Sequence, residues 1–168
     1  MPEEDILSVM IEIPKGSRNK YEYDPVKKLI KFDRMLFSSV HYPSDYGFIP
    51  ETLAEDGDPL DALVLITEHT FPGCFIKSRP IGLFKMVDEE GLDDKILCIP
   101  IEDPLWNHIH ALDEVPVHLL KEIEHFFKIY KDLEGHKTGV KGWGDRDSAL
   151  ESIRASKLRY QNLMRESR

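Results

Sequence analysis

Residues 74–101, CFIKSRPIGLFKMVDEEGLDDKILCIPI, contain two apolar runs with an acidic segment between them. The first run ends at Asp88, the second begins near Lys95, and Gly91 lies between them. Short apolar runs bounded by glycine and acidic residues are typical of two strands that are joined by a turn. The stretch therefore predicts two neighbouring β-strands with several carboxylates at their turn.

The same pattern extends toward the N-terminus. Between Leu7 and about Ile101, apolar and polar residues alternate in short runs, and SVMIEIP at 8–14 places Val9, Ile11 and Ile13 on one face. Such alternation is the period of a half-buried strand. Further candidates bring the set to six or seven, and regularly spaced short strands of this kind predict a closed or nearly closed antiparallel barrel. These candidates are KYEYD at 20–24, KKLIKFDR at 27–34 and DALVLI at 61–66.

The last third of the chain has a helical period instead. VHLLKEIEHFFKIYKDLEG at 117–135 repeats its apolar residues at helical spacing and ends on Gly135, a common helix terminator. A second helix is predicted to start near Asp147 as its N-cap and to run through Leu163. Strands followed by helices predict the α+β class. A chain of 168 residues predicts one domain over 1–168.

Composition excludes several classes of protein. Lys and Arg total 22 against 31 Asp and Glu, which gives a formal net charge of −9. The long-range field therefore has the wrong sign for nonspecific binding to nucleic acid or to an anionic membrane, and we expect neither as a partner. The acidic start, MPEED, and the short apolar runs predict a cytoplasmic protein. Cys74 and Cys98 lie in apolar segments and are expected to be reduced core residues.

A second stretch, EDGDPLDALVLI at 55–66, crowds carboxylates at the entrance of an apolar run. Asp56, Asp58 and Asp61 repel one another unless cations neutralise them. A barrel can bring the acidic turn that contains Asp88 and Asp93 beside this loop. Oxygen ligands from two loops suit hard cations, Mg²⁺ first and Mn²⁺ next.

Other interpretations of the acidic and glycine-containing motifs are weaker. A plain turn needs one or two of the three aspartates, and an EF-hand would need glycine where Asp61 stands and glutamate where Thr67 stands. In a phosphatase or transferase loop the aspartates follow the strand, whereas here they precede it. EGHKTG at 134–139 lacks the glycines of a P-loop. His108 and His110 fit an exposed loop better than a metal site.

Five blocks of the chain, in order, resemble one enzyme family. DGDPLDA at 56–62 is similar to the signature of the soluble family I inorganic pyrophosphatases. The resemblance covers about residues 9 to 143. The other matching blocks are IEIPKGSRNKYEYD at 11–24, DRMLFSSVHYPSDYGFIPETL at 33–53, FPGCFIKSRPIGLFKMVDEEGLDDKILCIP at 71–100 and HFFKIYKDLE at 125–134.

The resemblance implies a fold, a reaction and an assembly. The fold would be a five-stranded, oligonucleotide-binding-type antiparallel β-barrel with two C-terminal helices packed on it. The reaction would be the hydrolysis of pyrophosphate from biosynthetic reactions to two orthophosphates by water that several Mg²⁺ ions activate, with Mn²⁺ or Zn²⁺ as possible substitutes. Members of the short bacterial type are usually homohexamers.

The resemblance also implies roles for individual residues. Asp58 would accept the proton of the attacking water, and the expected metal ligands are Asp56, Asp61, Asp88, Asp93 and Glu12. The residues expected to bind or surround the substrate are Lys20, Glu22, Arg34, Tyr46, Tyr130 and Lys131, supported by Tyr42 and Lys95.

Outside the aspartates, these roles depend on the resemblance rather than on local chemistry. Packing alone accounts for the tyrosines, and ordinary solvated positions account for Lys20, Glu22 and Arg34. Lys137 and Lys141 lie in a segment that matches the family less well and are left out of the site, and His41 and His125 receive no role.

Three other functions remain open on sequence grounds. One is a metal-dependent hydrolase of a larger phosphoanhydride such as a nucleotide. Another is a non-catalytic barrel that binds single-stranded nucleic acid or oligosaccharide, although such barrels need a basic groove with exposed aromatic residues. The last is a structural protein that binds divalent cations without turnover.

Overall fold

The structure is a computed structural model that describes residues 5–167. Most of the acidic start, which the cytoplasmic expectation used, therefore lies outside the described residues. The 3-10 turns Leu112–Glu114 and Asp132–Glu134 accompany the strands and helices. In chain order these are β1 (Leu7–Ile13), β2 (Asn19–Asp24), β3 (Leu29–Met35), β4 (Asp45–Phe48), β5 (Asp61–Val64), β6 (Phe75–Asp88), β7 (Gly91–Leu92), β8 (Lys95–Pro100), α1 (Val117–Ile129), β9 (Gly139–Gly144) and α2 (Arg146–Glu166).

Five strands close into a ring in the order β1, β4, β5, β8, β6 and back to β1. This confirms the predicted five-stranded barrel with two C-terminal helices. Four of the five pairings are antiparallel, whereas β5 and β8 are parallel. The ring is therefore mixed rather than wholly antiparallel, because β8 runs back along β6 and meets β5 on its other edge. A period of two in the sequence reports that a strand is half-buried but not the direction of its neighbour.

Strand β6 connects most of the sheet. Its first residues pair with β1, its centre with β8, and its far end with β7 and β9. The register with β8 shifts between Pro80 and Gly82. A proline inside a strand lacks the N–H for a ladder bond and is accommodated at such irregularities. The strand therefore bends and can serve several partners along its length.

Sequence analysis missed some of the strands. It assigned none to 139–144, where β9 pairs with β6, because three glycines give this segment little strand character. It also assigned none to DYGF at 45–48, which forms β4, a strand whose four residues are all buried. The strands predicted at 20–24 and 27–34 are present as β2 and β3, which pair as a hairpin and form a separate two-stranded sheet.

The helix boundaries differ from the predicted ones. Helix α1 ends at Ile129 rather than Gly135, and Gly135 instead terminates the following 3-10 turn with a φ of +80°. Helix α2 is capped by Asp145 rather than Asp147, since the Asp145 carboxylate accepts a hydrogen bond of 2.9 Å from the Ser148 amide. Asp147 lies in the first turn, where a negative charge is favourable toward the helix dipole.

Buried apolar side chains form two clusters that join the helices to the barrel. One contains Phe126 and Phe127 of α1, and the other contains Ala149 and Ile153 of α2. Each Å² of apolar surface that is buried contributes about 25 cal/mol of stabilisation. These apolar contacts are therefore the main interactions that hold the helices against the barrel. Within residues 5–167, neither helix has the length and apolar content needed to span a bilayer.

Candidate active site

The predicted acidic residues converge where β5 and β8 begin and β6 ends. Asp61 is the first residue of β5 and is in register with Lys95, the first residue of β8. Asp88 ends β6, and Asp93 lies in the turn that leads to β8. The parallel pairing of β5 with β8 therefore brings the two acidic loops to the same end of the barrel.

The outer part of this site is a group of three exposed carboxylates. One oxygen each of Asp56, Asp58 and Glu90 lies within 4.8 Å of the others. The Asp58 amide donates to Asp56 Oδ1 at 3.0 Å, and Gly57 between them has a φ of +91°, which a glycine adopts without strain. Glu90 was missed by sequence analysis, although it lies in the acidic turn that was singled out.

A buried ammonium group organises the inner part of the site. Lys95 Nζ donates to Asp61 Oδ2 and Asp93 Oδ2, each at 3.1 Å, and to the Tyr46 hydroxyl at 2.9 Å. Burial alone would lower the pKa of Lys95, but the two carboxylates outweigh it and raise that pKa. Lys95 therefore stays charged and fixes both carboxylates in place.

For Asp61, the cost of removing the carboxylate from water exceeds the stabilisation that Lys95 provides. Burial, followed by the repulsion of Asp93, raises the pKa of Asp61 above its ordinary value, against the opposing effect of Lys95. The pKa of the exposed Asp56 is also raised, first by partial removal of its carboxylate from water and then by repulsion from Asp58. Both shifts show that added positive charge is favourable here.

Glu12 lies on β1 and connects the acidic end to the β2–β3 hairpin. Its Oε2 accepts a hydrogen bond of 2.8 Å from the Tyr23 amide. Burial, with repulsion from Asp61 and Glu22, raises the pKa of Glu12 from 4.5 to about 7, although the Tyr23 amide and Lys20 oppose the shift. The Glu12 carboxylate is thus another site where a cation is favourable.

Two predicted substrate-binding cations lie side by side on the hairpin. Lys20 and Arg34 are paired in register, and both contact Asp33 Oδ2, at 3.2 Å from Lys20 Nζ and 2.6 Å from Arg34 Nη1. Arg34 Nε also lies 2.8 Å from Glu134 Oε1. Sequence analysis missed Asp33 and Glu134, and no local pattern marks them as partners of these cations.

Lys131 supplies a third cation from the segment after α1. Its Nζ lies 3.2 Å from Glu89 Oε1, 3.8 Å from Asp88 Oδ2 and 5.5 Å from the centroid of the Tyr130 ring. Lys131 is therefore positioned at the same acidic turn that provides Glu90. Glu89 is a further partner that sequence analysis did not name.

The three predicted tyrosines are buried and close to one another. The Tyr42 and Tyr46 ring centroids are 5.4 Å apart. The Phe126 ring centroid lies 4.7 Å from that of Tyr42 and 5.2 Å from that of Tyr130. Burial raises the pKa of all three phenols, which therefore remain protonated donors. Tyr46 already contacts Lys95, so its hydroxyl belongs to the charged network.

Glu22 has fewer contacts with the site than the other predicted residues. Glu22 is exposed and takes part through its repulsion of Glu12. His41 and His125, which received no role, are both exposed.

The donor set fits hard divalent cations. The Asp56, Asp58 and Glu90 group offers carboxylate oxygens alone, the ligand type that such cations prefer. Nearby, the buried Oδ1 of Asp94 has no hydrogen-bond partner within residues 5–167. The raised pKa values of Asp61 and Glu12 also indicate that a nearby cation would be favourable. The arrangement therefore combines carboxylates that can hold cations with ammonium, guanidinium and phenol donors close to them.

Comparison with known proteins gives consistent matches over nearly the whole chain. The family model described as inorganic pyrophosphatase matches residues 9–161. An inorganic pyrophosphatase of Methanosarcina acetivorans is 62% identical over 160 residues, which cover 95% of each chain. An inorganic pyrophosphatase of Synechocystis is 46% identical over 160 residues, again with 95% of each chain covered.

Solved structures give the same result. The crystal structure of an inorganic pyrophosphatase from Thermus thermophilus superposes with a TM-score of 0.92 at 47% identity and covers 96% of this chain and 94% of its own. The likeness therefore extends from the sequence blocks to the arrangement of the strands and helices.

Proposed function

Because the chain belongs to the inorganic pyrophosphatase family, we propose that it hydrolyses inorganic pyrophosphate to two orthophosphate ions. In this reaction a water oxygen forms a bond to one phosphorus, and the bond from that phosphorus to the bridging oxygen breaks. The observation that carries the proposal is the convergence of two acidic loops, joined by Lys95, at one end of the barrel.

Divalent cations are part of the proposal. Asp56, Asp61, Asp88, Asp93 and Glu12 would hold several Mg²⁺ ions, with Mn²⁺ or Zn²⁺ as substitutes. When bound, such ions offset the charge of the substrate and make water more acidic. The raised pKa values of Asp61 and Glu12 support this role, because each carboxylate gains from added positive charge.

Asp58 is proposed as the proton acceptor. It is exposed at the outer edge of the site, so that its carboxylate can reach a solvent molecule, while its own amide is tied to Asp56. A carboxylate within hydrogen-bond reach of the attacking water can take its proton as the bond to phosphorus forms.

The basic side chains of the site would bind phosphoryl oxygens. Lys20, Arg34 and Lys131 each contact a carboxylate at the edge of the site, and we propose that a substrate phosphate replaces some of these contacts. Guanidinium and ammonium donors stabilise negative charge that grows on the departing phosphate. The protonated hydroxyls of Tyr46 and Tyr130 add neutral donors, and Tyr42 packs beside Tyr46, while Glu22 extends the acidic wall near Glu12.

We further propose that residues 1–168 form one domain, that the protein is cytoplasmic, and that it assembles as a homohexamer, as is usual for the short bacterial type that the sequence resembles. Nucleic acid and membrane are not proposed as partners, because the net charge of −9 repels both. Sedimentation equilibrium of the purified chain tests the assembly. A mass that differs from that of six chains would overturn the proposed homohexamer.

A colorimetric phosphate assay tests the activity. The purified protein is given pyrophosphate, ATP or tripolyphosphate with Mg²⁺, Mn²⁺, Zn²⁺ or EDTA. We expect rapid phosphate release from pyrophosphate with Mg²⁺ and little with EDTA. No release from pyrophosphate under any metal condition contradicts the proposal, and faster turnover of ATP would favour a nucleotide hydrolase. Tight binding of an oligonucleotide without phosphate release would favour a non-catalytic barrel.

A further inference from the structure

Helix α2 contacts the loop that carries the aspartates. The Leu53 amide donates to the Ser156 carbonyl at 2.9 Å, and Arg159 Nη1 donates to the Leu53 carbonyl at 3.0 Å. Both backbone polar groups of Leu53 are therefore bound by one helix. The same guanidinium lies 3.4 Å from Ser156 Oγ and 3.6 Å from Glu55 Oε1.

The segment after Leu53 folds on itself. The Ala54 amide donates to the Asp58 carbonyl at 2.7 Å, and the Gly57 amide donates to the Ala54 carbonyl at 3.1 Å. These bonds fix the shape of the turn that contains Asp56 and Asp58, but they do not fix its position relative to the barrel. That position depends on how the two ends of the turn, at Leu53 and at Leu60, are held.

The other end of the loop is held separately. Buried Thr52 donates its hydroxyl to the Ile49 carbonyl and accepts from the Leu60 amide at 2.9 Å, so that it closes the base of the loop. Glu51 before it has a φ of +60°, a left-handed conformation that a non-glycine residue adopts at a cost. The base is thus constrained at Thr52 and Leu60, and the Leu53 contacts with α2 add a second support for the acidic turn.

We propose that Arg159 is a positioning residue for the metal-binding aspartates, a role that rests on the proposed function. By donating to Leu53, its guanidinium holds the acidic turn against α2. A small cavity of about 80 Å³ lies at this contact and is lined by Arg159, Ser152, Asp56, Asp61 and Asp93. The helix is therefore part of the support for the acidic end of the barrel, although it supplies no group to the reaction.

A purely electrostatic role for Arg159 predicts the opposite effect on cations. A guanidinium beside several carboxylates repels a divalent ion, so that removal of the positive charge should tighten Mg²⁺ binding. Loss of a positioning contact should instead weaken Mg²⁺ binding, since the carboxylates must then be ordered when the ion binds. The direction of the change in Mg²⁺ affinity therefore distinguishes a positioning role from a purely electrostatic one.

The test compares Arg159→Met and Arg159→Lys in the full-length chain. Methionine keeps the apolar stem without the donors, and lysine keeps the charge with a single donor group. The matched control is Arg154→Met, which removes an exposed arginine from the same helix. Isothermal titration with Mg²⁺ gives the affinity, hydrogen exchange reports on the Leu53 amide, and phosphate release is measured at low and at saturating Mg²⁺.

We expect Arg159→Met to weaken Mg²⁺ binding by about three- to tenfold, the loss that one or two hydrogen bonds would cause. Exchange at Leu53 should be faster, and turnover should recover at saturating Mg²⁺. Arg159→Lys should lie between Met and the wild type, and the Arg154 control should match the wild type. A merely structural role would lower the thermal midpoint without a change in Mg²⁺ affinity.

Unchanged or tighter Mg²⁺ binding in Arg159→Met overturns the inference. If that variant does not fold, Arg159→Lys decides: weaker binding with the charge retained supports positioning, and wild-type binding refutes it. Failure of the proposed function is a separate result, because it would appear as absent phosphate release by the wild type itself.

Discussion

Replacement of Glu12 by glutamine removes a carboxylate that the fold holds at an unfavourable cost. Its pKa is raised from 4.5 to about 7. Between these values the native protein retains a proton that the unfolded chain has lost, so that the metal-free protein loses stability as the pH rises. Each pH unit across this interval corresponds to about 1.4 kcal/mol, and the whole interval therefore corresponds to an upper limit of about 3 kcal/mol.

Urea unfolding in EDTA, followed by tryptophan fluorescence, measures this effect between about pH 4.5 and pH 8. The free energy of unfolding of Glu12→Gln relative to wild type should increase over this range, because only the wild type must ionise a buried carboxylate. Glutamine can still accept the hydrogen bond from the Tyr23 amide, which keeps the local structure. Excess Mg²⁺ should reduce the difference, since the wild-type carboxylate then has a cation partner.

Glu68→Gln is the matched control, because it removes an exposed carboxylate outside the site. Its pH profile should be parallel to that of the wild type. If Glu12→Gln is also parallel to the wild type over the whole range, Glu12 is not held at a raised pKa and the electrostatic account of the site is wrong.

Three further substitutions test other parts of the structure. Lys95→Met should lower the free energy of unfolding of the metal-free protein by about 3 kcal/mol in urea titrations, because it leaves two carboxylates without their buried cation; an unchanged midpoint would show that this pairing is not stabilising. Asp58→Asn should reduce phosphate release by about two orders of magnitude or more with an unchanged circular dichroism spectrum, and wild-type turnover would exclude Asp58 as the proton acceptor. Gly47→Ala should prevent closure of the ring, because a Cβ at this position would lie 1.8 Å from the Met10 carbonyl oxygen; a soluble variant with the wild-type thermal midpoint would contradict the strand pairing.

Much of the fold could be predicted from the sequence, because hydrophobic periodicity reports local burial directly. Alternation in SVMIEIP indicated β1, and the apolar spacing at 117–129 indicated α1. Long-range features could not be read in this way. The parallel pairing of Asp61 with Lys95 depends on the path of the whole chain, and the glycine-rich strand β9 is stabilised by β6 rather than by its own side chains.

The candidate site was predictable to a similar degree. The crowding of Asp56, Asp58 and Asp61, together with the acidic turn that contains Asp88 and Asp93, predicted cation binding from the residues themselves, whereas the roles outside the aspartates depended on a family resemblance. The ion pairs of Arg34 and the contact of Arg159 with Leu53 join segments that are distant in the chain. No local pattern encodes such contacts, because they arise only when separate elements pack together.

The central claim is that the acidic end of the barrel tolerates its carboxylates because divalent cations bind there. Isothermal titration of the metal-free protein with MgCl₂ tests it most directly, with Asp61→Asn and the Glu68→Gln control alongside. The account predicts saturable Mg²⁺ binding by the wild type and by the control, and binding weakened by about tenfold or more in Asp61→Asn. Identical isotherms for all three proteins, or no saturable heat in the wild type, would contradict it.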